Sequence, residues 1–111
     1  MKIVKRNWGI EKWIINTSYC GKVLIIDEGE ECNMHYHKIK DETFYVSRGC
    51  VTIEMDGTEF TLMEGDMLRV PPMSKHKFIA HEYSEIIEFS THHEDSDSYE
   101  EINVRDDPND N

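Results

Sequence analysis

No stretch of this chain sustains a helical repeat. Apolar residues come instead in short β-branched and aromatic runs, each cut off by glycine, proline or acidic turn residues. The runs "KWIIN", "GKVLIID", "NMHYH", "ETFYVSRG", "CVTIEM", "TEFTLM", "MLRV", "HKFIA" and "SEIIEF" read as about nine strands. Asp56-Gly57 sits between two of them and is a strong hairpin signal, because a two-residue turn of the right twist needs positive φ at both positions. Pro71 and Pro72 end the ladder after "MLRV", since neither can donate to it. A chain built this way buries apolar surface by packing sheets, so an all-β sandwich or barrel is predicted.

The 111 residues suit one domain, and 38% hydrophobic residues are enough for one core. That domain is expected to span residues 1–91, opening with an N-terminal strand segment. Residues 92–111 form an acidic tail without apolar periodicity, whose last part is expected to be mobile. The tail holds eight of the 23 acidic residues and one of the 12 basic ones, so the first 91 carry 15 against 11, a net of −4 within the total of −11. Such a surface repels phosphate backbones and anionic headgroups, so no nucleic-acid or membrane partner is expected. A small anionic molecule could still bind a local basic pocket.

No apolar run approaches a membrane span and no charged-then-apolar leader opens the chain. Cys20, Cys32 and Cys50 are odd in number and lack CxxC spacing, which fits free thiols in a reducing cytoplasm better than a disulfide or a thiolate zinc site.

Residues two apart on a strand share a face. His35 and His37 therefore point one way, while Met34 and Tyr36 point the other. On the next strand Glu42 shares a face with Phe44 and Val46, and on a third His76 shares a face with Phe78 and Ala80. Three strands thus carry imidazoles and a carboxylate into an apolar interior. Unpaired, each such group costs roughly 1–3 kcal/mol. One divalent transition metal satisfies all four, and an octahedral ion then keeps two positions open for substrate or water. The bland alternative is a set of satisfied polar residues in a barrel that holds no metal.

The segment "GEECNMHYHKIKDETFYVSRG" resembles the first motif of the cupin family, with Gly29, His35, His37, Glu42 and Gly49 at its offsets. "GDMLRVPPMSKH" resembles the second, through Gly65, Pro71 and His76. The resemblance covers roughly Asn16 to Phe89. It implies a double-stranded β-helix, or jelly-roll barrel, and by carry-over His35, His37, Glu42 and His76 as metal ligands. Two positions depart from the second motif: Met73 stands where glycine is usual and Ala80 where asparagine is usual. The first changes the turn or puts a thioether near the pocket mouth; the second removes a polar wall residue. Within cupins, "RNWGIEKWII" and the barrel motif resemble the cupin part of type II mannose-6-phosphate isomerases.

That resemblance implies a metal-dependent aldose–ketose isomerase acting on a sugar or sugar phosphate, with Zn, Mn, Fe or Ni polarising the carbonyl. The general base is unassigned, with Glu54, Glu85, Glu88 or a hydroxide on the metal as candidates. The alternatives are a non-haem iron dioxygenase using the same ligand shell and a non-catalytic sugar or small-ligand binding protein. His81, His92 and His93 are expected on the solvated surface, as are Lys38, Lys40, Lys75 and Lys77 unless they rim the pocket. Phe44, Val46, Ile53, Met55 and Phe78 are expected in the core, Tyr45 outside it or at a dimer interface, and Trp8 and Trp13 as staples for the first strand. Free sheet edges in so short a chain favour a homodimer.

Overall fold

The computed structural model describes residues 1–100. Its strands are β1 (Lys2–Arg6), β2 (Gly9–Asn16), β3 (Tyr19–Ile26), β4 (His35–Tyr36), β5 (Glu42–Arg48), β6 (Cys50–Met55), β7 (Thr58–Met63), β8 (Met67–Val70), β9 (His76–Ala80), β10 (Ser84–Thr91) and β11 (Tyr99–Glu100). A 3₁₀ turn at Asp95–Asp97 precedes β11. One sheet has the order β1-β2-β3-β10-β5-β8 and the other β11-β4-β9-β6-β7. Every pairing is antiparallel. The two sheets face each other in the jelly-roll arrangement that the turn-punctuated sequence predicts.

Burial alternates residue by residue along β3, β5, β9 and β10, so each strand sends one set of side chains inward. Phe44, Val46, Ile53, Phe78 and Ala80 join Leu24, Ile26 and Ile86 in one core, and Met55 packs on it half-buried. Trp8 closes one end, its ring set edge-on to Phe78 at 5.0 Å. Asp56 and Gly57 have φ of 49° and 85°, the two positive values the tight β6–β7 hairpin requires. Gly49 is fixed twice over: its φ is +90°, and a Cβ there would lie 2.2 Å from Ser84 Oγ.

The structure differs from the sequence expectations in three places. β1, which pairs with β2 from Lys2↔Trp13 to Arg6↔Gly9, and β11 add to the expected strands, while "NMHYH" is a strand only at His35–Tyr36. Its flanks are held irregularly, by Cys32 N–H to the Phe78 carbonyl and a bridge from Glu31 to Ile79. Residues 92–100, assigned to the tail by composition, instead return across the open end of the barrel, where Tyr99 and Glu100 pair with Tyr36 and His35. His93 and Asp97 are buried there, so the solvated place expected for His93 is wrong. The expected mobility of the last part of the tail falls on residues 101–111 and lies outside the described residues.

The outer faces of β3 and β10 carry apolar residues. Val23, Ile25 and Ile87 lie half-buried on the outside of the six-stranded sheet, with Phe89 57% exposed beside them. Tyr45 is half-buried and paired with Ile87, placing it on that outer face as its parity predicts.

Candidate metal centre

His35 on β4 and His76 on β9 are direct cross-strand partners, and strand parity brings His37 round to the same side. The imidazole centroids are 4.3 Å apart for His35–His76, 5.2 Å for His35–His37 and 5.8 Å for His37–His76. One nitrogen from each ring lies within 4.8 Å of the other two. Glu42 opens β5 and carries its Oε2 to 3.2 Å from His37 Nε2 and 3.4 Å from His76 Nε2. The three histidines named from the sequence therefore meet, and Glu42 lies against two of them.

The second nitrogen of each ring decides what the first can do. His35 Nδ1 lies 2.9 Å from the Asn33 carbonyl, His37 Nδ1 3.0 Å from the Asp97 carbonyl, and His76 Nδ1 2.9 Å from the Ser74 carbonyl. A carbonyl only accepts, so each Nδ1 carries a hydrogen and Nε2 is the nitrogen left to face the cluster. Glu42 Oε2 and His76 Nε2 are buried, and neither makes a hydrogen bond. Buried polar atoms left without a hydrogen bond are costly unless a cation lies among them. Three imidazoles and a carboxylate are a donor set for a divalent transition metal, so these residues fit the ion expected from the sequence.

The charges agree. Burial first, then the neighbouring His76, pushes the His35 pKa down to about 4, so that ring is neutral at physiological pH. Burial works against the Glu42 charge. Contacts with His37 and His76 and the nearby Lys40 outweigh it and hold the carboxyl well below the usual range.

Lys40 was expected on a solvated face, and that expectation is wrong. Its side chain is 3% exposed, with Nζ 2.7 Å from Glu88 Oε2, 3.7 Å from Glu42 Oε1 and 3.0 Å from His93 Nδ1. Burial opposes the Lys40 charge, but Glu88 and Glu42 outweigh it and raise its pKa above the ordinary lysine value. His93 accepts from Lys40 and donates its Nε2–H to Asp95 at 2.9 Å. Burial, then Lys40 and Lys22, pushes its pKa down to about 4. Glu88 shares its inward parity with Ser84 and Ile86, and Ser90 Oγ donates to it at 3.1 Å. Of the three carboxylates offered as bases, only Glu88 lines the cavity; Glu54 and Glu85 do not.

The cavity has a volume of about 540 Å³. Phe44, Phe78, Trp8 and Leu24 supply apolar wall, and Glu11, Lys22, Lys40 and Glu88 supply a charged one. Glu11 is satisfied by Arg6 at 2.6 Å, Lys22 at 3.3 Å and the Trp13 indole N–H at 2.9 Å. Parity along β2 and β3 could have found Glu11 and Lys22, since both fall on the inward phase of their strands. His81 and His92 are exposed, as expected; His81 contacts Thr52 Oγ1 at 2.6 Å. Lys38 and Lys75 are also exposed. Met73 keeps the glycine-type turn at φ 73°, donates its N–H to the His37 carbonyl at 2.7 Å and leaves its side chain 58% exposed, outside the cavity wall.

Comparison with known proteins agrees with this geometry. The family described as a cupin domain matches residues 22–89. Quercetin 2,3-dioxygenase of Bacillus subtilis is 39% identical over 51 residues, which are 46% of this chain and 15% of that enzyme. The chain spans less than half the length of the curated relatives it matches. Among solved structures, KdgF from Halomonas sp. superposes with a TM-score of 0.73 at 25% identity, over 78% of this chain and 81% of that one. An RmlC-like cupin from Shewanella frigidimarina gives 0.77 at 22% identity, over 86% of each chain.

Proposed function

The chain belongs to the cupin family, and on that premise we propose that its cavity is the site of a metal-dependent aldose–ketose isomerase acting on a sugar or sugar phosphate. His35, His37, His76 and Glu42 would hold a divalent ion, with Zn, Mn, Fe or Ni suited to the donor set. Such an ion supplies Lewis-acid polarisation of a carbonyl or hydroxyl oxygen. The other roles fall to the chain's own side chains. Glu88 would take a proton from the carbon beside the carbonyl and return it to the neighbouring carbon. Lys40 holds Glu88 in place at 2.7 Å and offers its ammonium to a substrate oxygen. Trp8 and Phe78 exclude water from one wall.

The observation that carries this reading is the buried Lys40–Glu88 pair opening onto the cavity beside the histidine cluster. It supplies acid–base chemistry that the ligand set alone lacks. The charged residues along the wall suit a polyhydroxylated substrate, which can satisfy donors and acceptors in turn. The likeness of the Trp-Gly segment and barrel motif to type II mannose-6-phosphate isomerases supports the same reading.

The test is proton exchange. Metal-loaded protein is incubated with hexoses and hexose phosphates in deuterated water, and deuterium at C2 is followed by NMR. Exchange lost in Glu88→Gln, with metal content unchanged, is the expected result. No exchange with any sugar while metal is bound overturns the reading. The identity with quercetin 2,3-dioxygenase favours a second reading, iron-dependent oxygen chemistry, which oxygen uptake by the iron-loaded protein would reveal. Sugar binding by calorimetry with neither activity assigns a non-catalytic ligand-binding role.

Two further proposals concern context. The apolar outer face around Val23, Ile25, Ile87 and Phe89 supports a homodimer; a light-scattering mass of one 13.1 kDa chain overturns it. The three free thiols support a reducing, cytoplasmic location, and among the described residues no helix is long and apolar enough to cross a membrane. Mass spectrometry of the native protein finding a disulfide would count against that location.

A further inference from the structure

Of the three carbonyls that fix the histidine tautomers, two are local. Asn33 and Ser74 each stand two residues before the ring they orient, so β4 and β9 carry those partners with them. The third is remote: His37 is oriented by Asp97, 60 residues away in the acidic segment past β10. The same residue grips the connection that separates His37 from Glu42. Asp97 Oδ1 accepts the backbone N–H of Lys38 at 3.0 Å and of Ile39 at 3.2 Å, and Oδ2 accepts Ile39 at 3.2 Å and Lys40 at 3.0 Å. A short loop whose successive N–H groups all point at one carboxylate has little freedom left. The residues that follow tighten the hold: Tyr99 stacks on Tyr36 at 5.2 Å, and Glu100 accepts from Asn33 Nδ2 at 3.3 Å.

We propose that Asp97 is a positioning residue for the metal centre, its carboxylate clamping the loop between His37 and Glu42 while its carbonyl fixes the His37 ring. The segment Asp97–Glu100 is then a clasp across the site, and the ion's affinity depends on chain far outside the ligand motif. Outer-shell partners of this kind typically alter metal affinity 10–100-fold. Within the histidine set, this is the orientation that no local sequence provides. The inference rests on the metal reading above and stands apart from the choice of reaction.

The test is Co²⁺ titration of the full chain, followed by calorimetry and by the visible absorption of the bound ion. Four proteins are compared: wild type, Asp97→Ala, Asp97→Asn and Asp66→Ala. Asp66 is a control, because its carboxylate caps the exposed β7–β8 turn through Met63 N–H and does not line the cavity. Asp97→Ala keeps the residue 97 carbonyl but frees the loop. It is expected to bind Co²⁺ roughly 10–100-fold more weakly with an altered absorption spectrum. Asp97→Asn keeps an accepting oxygen and should fall between Asp97→Ala and wild type, while Asp66→Ala keeps wild-type affinity and spectrum. If Asp97→Ala does not fold, the near-isosteric Asp97→Asn decides alone. Wild-type affinity and spectrum in the folded Asp97 variants overturn the inference. Failure of wild type to bind Co²⁺ overturns the metal reading itself.

Discussion

Replacing Lys40 by methionine removes one positive charge from a buried position and little volume. At an effective dielectric of about 20, a unit charge at the Lys40–Glu88 separation contributes about 6 kcal/mol, and one at the Lys40–Glu42 separation about 4 kcal/mol. Desolvating the ammonium costs several kcal/mol and offsets much of this. What the variant loses is the compensation of two carboxylates that stay buried, and breaking such a pair from one side costs about 3–5 kcal/mol. For a domain of this size each kcal/mol moves the melting temperature by roughly 4–8 °C, so Lys40→Met should melt roughly 12 °C or more below wild type. Thermal unfolding of metal-free protein by circular dichroism at neutral pH measures this. The sign is checked by pH, since Glu88 and Glu42 can protonate in the variant, which should regain stability relative to wild type as pH falls. The double variant Lys40→Met with Glu88→Leu removes both partners and should recover part of the loss. A Lys40→Met protein melting within a few degrees of wild type would refute the view that this pair is buried and coupled.

Glu42→Gln keeps the shape of the fourth proposed ligand and removes its charge; by analogy with lost coordination partners, affinity for Zn²⁺ should fall at least tenfold with the far-ultraviolet spectrum unchanged. Unchanged metal content after dialysis would remove Glu42 from the ligand set. Met73→Gly relieves a side chain held at φ 73°, where left-handed backbone costs about 1–2 kcal/mol, against about 0.5–1 kcal/mol of added chain entropy. The variant should be equal or slightly more stable in urea, and a clear loss would contradict the strain. His35 and His93 have folded pKa values of about 4, below the ordinary 6.5, so the folded state favours their neutral forms. That contribution is complete above about pH 6.5 and is lost as pH falls toward 4, so metal-free protein should lose stability across this interval. His93→Gln should flatten the slope; an unaltered slope would place the titration elsewhere.

The proposed ligands are legible because their placement follows local rules. Period-two alternation puts His35 and His37 on one side, carries Glu42 in with Phe44 and Val46, and carries His76 in with Phe78. The Asp56-Gly57 hairpin was equally local, since its turn chemistry is held by two residues. Lys40 and His93 were misplaced for the opposite reason. Each lies in a polar connection where composition suggests solvent, and burial comes from partners distant in the chain. Asp97 was hidden among other acids: nothing in "HEDSDSYEE" marks which carboxylate will meet three backbone N–H groups.

The sequence by itself determined the antiparallel barrel and the four side chains that meet inside it, because inward parity and turn type are written within a few residues of each position. Tertiary structure alone decided which carboxylate pairs with Lys40 on the cavity wall, which lysine is buried, and that the acidic segment folds back over the site. Those outcomes depend on loop closure between distant parts of the chain. There burial and pairing are settled by what arrives opposite, and a residue's own neighbours in sequence hold no record of it.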